Sequence, residues 1–148
     1  FAMLGMMTTV IMVGILQGAK KAAAVSLVKN EGNRVVNTMT QMLKYSTSVT
    51  LCGGNSITFK PRADGSIDAV FSCLPVGASN YIASNSAKLI SDKVEMTPNS
   101  CSISCDVPDA QAKQVNVSFT LQIKGATFAT EKATTVFKTQ IGLRNQEK

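Results

Sequence analysis

The chain opens on "FAMLGMMTTVIMVGILQGA", residues 1–19, a stretch without a single charged side chain. Wound as a helix at 1.5 Å per residue it would span ~28 Å, close to the hydrocarbon thickness of a bilayer. The pattern does not end there. Past Lys20 and Lys21, the residues Val28, Val35, Val36, Met39, Met42 and Leu43 recur at helical spacing, with Lys29, Asn30, Asn33, Arg34, Asn37 and Gln41 between them. No proline interrupts residues 1–46. The spacing therefore predicts one helix of about 45 residues, ~65–70 Å long, apolar all round in its first half and amphipathic in its second. Residues 1–24 form a transmembrane or filament-core helix. Residues 25–148 form a globular head, to which the helix contributes 25–46.

Outward from the helix, from Thr47, the period changes to two. "SVTL", "SITFK" and "SIDAVFS" read as strands, the last two joined by a turn at "PRADG". "AKLISDKVEM" is a fourth candidate strand. In "VNVSFTLQIK", Val115, Val117, Phe119, Leu121 and Ile123 alternate with polar residues, and "TVFKTQIGL" repeats the pattern with Phe137, Thr139, Ile141 and Leu143. One apolar and one polar face is the mark of an antiparallel sheet packed on something, and the amphipathic half-helix is the partner. The expected fold class is α+β, a long N-terminal helix lying across an antiparallel sheet over residues 47–148. "PDAQAK" and "KGATFATEKA" read as surface loops.

The four cysteines, Cys52, Cys73, Cys101 and Cys105, stand in a chain without histidine and without a C-x-x-C pair. An even count in a Ser- and Thr-rich head fits disulfides formed outside the cytoplasm, not a metal site. Cys52–Cys73 would bracket the predicted hairpin, and Cys101–Cys105 would close a tight local turn. With no histidine and no paired carboxylates, the chain offers neither the commonest general base nor a metal-ligand motif. No enzyme, cofactor, metal or small-molecule substrate is expected. The formal net charge of +6 comes from scattered residues without interleaved aromatics, so a nucleic-acid partner is not expected either. The sequon Asn116-Val117-Ser118 falls inside the clearest strand, which favours chance over glycosylation.

The start of the chain resembles the N-terminal segment of type IV pilins and pseudopilins. Phe1 and Gly14-Ile15-Leu16 fall in register with that pattern, "TVFKTQIGLRN" is similar to the last strand of many pilin-like proteins, and "FKPRADGSIDAVF" resembles their common hairpin. The first segment lacks both an initiating Met and a basic n-region, unlike a secretory signal peptide, so a mature N-terminus exposed by removal of a leader before Phe1 is expected. The resemblance implies N-methylation of Phe1 and a lollipop-shaped subunit, held in the cytoplasmic membrane before assembly. It also implies a later place in an extracellular filament of its own copies, and of other pilins, serving adhesion, motility, DNA uptake or secretion. The core-packing residues would be Phe1, Leu4, Gly5, Met7, Val10, Ile11, Gly14, Ile15, Leu16 and Gly18.

One position departs from the family. Gly5 stands where most members carry a Glu that neutralises a neighbour's terminal amine, and the first acid here is Glu31, ~45 Å along the helix. An unpaired charge in a greasy core costs several kcal/mol. The departure raises the alternative of a minor or tip-initiating pseudopilin. A single-pass membrane-anchored binding domain is the alternative from another class. Gly14 and Gly18 either allow close helix packing or let the helix loosen over 14–22, since each Gly costs ~1 kcal/mol relative to Ala.

Overall fold

The computed structural model describes residues 2–61, 67–76, 79–107, 112–129 and 131–144, the side chains of 2–10, 75–76 and 79–80 excepted. It begins with one helix, α1, Ala2–Lys44, 43 residues long, or about 65 Å. Nine strands follow among the described residues: β1 Ser48–Gly53, β2 Ser56–Lys60, β3 Ala69–Val76, β4 Ser79–Ser84, β5 Ala87–Lys88, β6 Val94–Met96, β7 Ser102–Cys105, β8 Gln114–Ile123 and β9 Thr134–Gly142. The fold is α+β, a single long helix packed on an antiparallel sheet, as the change of period predicts.

The helix changes environment along its length. Every described side chain from Ile11 to Ala23 is exposed, and burial begins with the half-buried Ala24 and Val25. From there Val28, Gly32, Val35, Met39 and Leu43, three or four residues apart, line one buried stripe. That stripe lies against β8 and β9. At Gly32 an added Cβ would run into the Phe137 ring. Phe137 stacks on Phe119 with ring centroids 5.2 Å apart. The helix ends by tightening its last turn. The Ser46 N–H and hydroxyl both donate to the Leu43 carbonyl, and Thr47 N–H then pairs with the Lys60 carbonyl. Lys44 in that turn complements the negative end of the helix dipole.

The strands β1 to β4 form an antiparallel meander. The β1–β2 connection is the two-residue turn Gly54-Asn55, both at positive φ, a geometry that glycine and asparagine tolerate and that matches strand twist. β8 carries β9 along one side and shares the other between β7 and β6. Among the described residues, only Asn80↔Met96 joins β4 to β6. The meander and the β6–β9 unit thus meet at one narrow pairing, and β7 lies against β1, β2 and β3.

Two disulfides close that junction, Cys52–Cys105 and Cys73–Cys101, with Cα atoms 6.2 and 5.9 Å apart. They replace the expected pairs Cys52–Cys73 and Cys101–Cys105, and the reason is geometric. Cys52 and Cys73 lie on β1 and β3, both neighbours of β2 and not of each other, so roughly 9–10 Å separates those strands and no bridge spans it. Residues 102–105 are strand and not a tight turn, so Cys101 and Cys105 lie about 13 Å apart along an extended chain.

Other expectations also change. "AKLISDKVEM" is two short strands, β5 and β6, with Leu89–Lys93 between them. β4 and β7 were not anticipated. "PRADG" after Pro61 and most of "PDAQAK" lie outside the described residues. "KGATFATEKA" is the connection between β8 and β9.

Candidate assembly surface

Sequence reasoning points to the exposed half of the helix, and its geometry is simple. Ile11, Met12, Val13, Ile15 and Leu16 are all large, apolar and more than half exposed, Ile15 at 67%. Gly14 and Gly18 have no atom within 4 Å of where a Cβ would sit. No face of this segment is covered by the head. By length and composition the helix could cross a membrane, with Lys20 and Lys21 ending its uncharged run. Of the residues expected in a filament core, Ile11, Gly14, Ile15, Leu16 and Gly18 are on this surface. Leu4, Gly5, Met7 and Val10 continue the same helix, their side chains outside those described, and Phe1 lies outside the described residues.

Two polar ties fix the helix to the head just above the exposed segment. The Ser91 N–H donates to the Glu31 carboxylate at 3.2 Å, and Arg34 donates through Nη2 to the Leu89 carbonyl at 3.2 Å. They occupy the residues between β5 and β6, which explains why that stretch is not one strand. In sequence these two residues pass for ordinary members of a polar helix face. The signal that could have found them is their i, i+3 spacing beside the buried stripe. Glu31 is thereby engaged with its own head.

Two further carboxylates are held locally. Asp92 pairs with Lys88 Nζ at 2.7 Å, and that hydrogen bond, with the Lys88 charge, holds its carboxyl below the ordinary value. Burial pushes the Asp106 carboxyl upward, but hydrogen bonds from the Gln114, Lys113 and Val107 N–H groups outweigh it and leave the group lowered. Asp106 thus clamps the base of the 107–113 loop. On the outer face of β7, β8 and β9, Ser102, Ser118 and Lys138 stand in one cross-strand row and Ser104, Asn116 and Gln140 in the next. Asn116, the sequon residue, is exposed there. Among the described residues no three Cys, Asp or Glu side chains gather as metal ligands would.

The arrangement therefore offers an exposed apolar stretch of helix and a cross-linked head. Comparison with protein-family models, with curated proteins and with solved structures finds no match for the chain.

Proposed function

We propose that the chain is the structural subunit of a type IV pilus-like helical filament. The observation that carries this reading is the change of environment within one continuous helix, exposed from Ile11 to Ala23 and packed on the sheet from Val28 onward. Covering each exposed Val, Ile, Leu or Met is worth about 1.5–3 kcal/mol relative to water. A helix greasy on all sides gains this only when surrounded, first by lipid and then by other copies of itself. Heterologous packing of such rods, each helix against the next, does not close on itself and propagates a filament. The two disulfides support a head that matures outside the cytoplasm.

Gly5 favours a second reading, a minor subunit at the tip of a filament built from other pilins, because no carboxylate lies near the start of this helix. Imaging separates the two. Material sheared from cells that express the chain as the sole pilin should contain long filaments by negative stain, whereas a tip subunit yields none. Leu16→Asp places a charge in the proposed core, where burial without a partner costs several kcal/mol. It should abolish filaments while leaving both disulfides and head folding intact. Filaments that persist with Leu16→Asp would count against the reading.

A further inference from the structure

We infer that the β8–β9 loop is a foot that rests in the headgroup layer of the membrane carrying the helix, with Phe128 as its interfacial anchor and Lys124 and Lys132 as contacts to anionic phospholipid. This rests on the reading that α1 crosses a membrane.

Phe128 is 66% exposed, and it is not on a loose tail. The N–H groups of Glu131 and Lys132 both donate to its carbonyl, at 3.0 and 3.2 Å, and Gly125 at φ +71° turns the chain out of β8. The aromatic is thus presented by a closed turn. A single exposed apolar side chain is ordinary on a soluble surface, so its location carries the argument.

Three contacts set that location. Glu31 of the helix holds the Ser91 N–H, Lys124 N–H donates to the Lys93 carbonyl, and Ile123 N–H donates to the Ala133 carbonyl. The mouth of the loop therefore lies near the level of Glu31. The loop mouth thus lies about 20 Å short of the helix's end at Lys44, on the part of the head nearer the exposed segment. From Lys21 to Ala24, the first half-buried residue, the rise is only about 5 Å, and to Glu31 about 15 Å. Headgroups extend some 5–7 Å beyond the hydrocarbon on each side. A membrane ending near Lys20 and Lys21 would bring its headgroups to the underside of the head.

The chemistry suits that layer, which takes aromatic rings and lysines. Lys93, Lys124 and Lys132 are exposed. Of the acids nearby, Asp92 is paired with Lys88, Glu95 accepts from Gln122 Nε2, and Glu131 is half-buried.

The chain contains no tryptophan, so Phe128→Trp and Leu16→Trp are each single-tryptophan reporters in the full-length protein. Each is reconstituted in phosphatidylcholine–phosphatidylglycerol vesicles with lipids brominated either near the headgroup or deep in the chain. The expected result is deep quenching at position 16, with headgroup-level quenching and a blue-shifted emission at position 128. The shift at 128 should shrink when Lys124 and Lys132 are both changed to Gln. Solvent-like, unquenched emission at 128 with position 16 quenched would overturn the foot and leave the membrane reading standing. No quenching at 16 would overturn both. A shift at 128 indifferent to the two lysines would overturn their assigned role.

Discussion

Gly32 and the pair Gly14 and Gly18 sit in the same helix under opposite constraints. At Gly32 a methyl group meets the Phe137 ring, and that ring cannot retreat without moving Phe119, which is fully buried. Gly32→Ala gains up to ~1 kcal/mol of helix propensity but overpacks a tight contact, which costs typically 1–3 kcal/mol. A net loss of about 1 kcal/mol or more is expected, read as a lower Tm in detergent. Gly14→Ala and Gly18→Ala touch nothing within the subunit, so they should leave the Tm of the head unchanged and reduce filament yield only if those glycines meet another helix. Asp106 makes a prediction at the same scale. Its carboxyl is lowered in the folded chain, so its contribution is complete above the ordinary aspartate value and is lost as pH falls through the lower folded value. Amide exchange, corrected for its intrinsic pH dependence, should lose protection at Lys113 and Gln114 in that acidic window. Asp106→Ala should remove the same protection at neutral pH.

The elements differ in how plainly residue order announces them. β8 and β9 were legible because Val115 to Leu121 and Phe137 to Ile141 alternate strictly and pack on one helix. The helix stripe was legible for the same local reason. β7 was not, since Ile103 is the only fully buried residue in "SISC", and the strand exists because β8 offers it an edge. β4 lacked a strict alternation, and the stretch after it is shaped by Glu31 and Arg34 of the helix, far away in sequence. The disulfides show the limit most clearly. Their pairing follows from the meander closing onto β7, a contact across 53 and 28 residues that no local spacing encodes. Non-reducing peptide mapping should recover Cys52–Cys105 and Cys73–Cys101. By chain entropy the two loops are worth roughly 4 kcal/mol each. With only Asn80↔Met96 linking β4 to β6 among the described residues, removing both should lower stability well beyond the effect of an ordinary surface substitution. Equal stability of the Cys-free and native chains would contradict the staple.

Taken whole, the molecule divides its surface by destination. The head buries its half of the helix, pins it through Glu31 and Arg34, and cross-links its own seam. From Ile11 to Ala23, every described side chain of the helix is left exposed. Charge follows the same division, for the helix carries Lys20, Lys21, Lys29, Arg34 and Lys44 against the single acid Glu31. In the proposed filament, neighbouring copies would meet through the uncharged run below Lys20, with the basic segments spaced apart or matched by acids from other heads. The most direct test is a cryo-EM reconstruction of the assembled protein, at a resolution that places Leu16 and Ile15. The expected result is helices bundled along the filament axis, with both side chains against neighbouring helices and the heads outermost. Particles in which that segment faces water, or monomers in which it meets only lipid or detergent under every assembly condition, would contradict it.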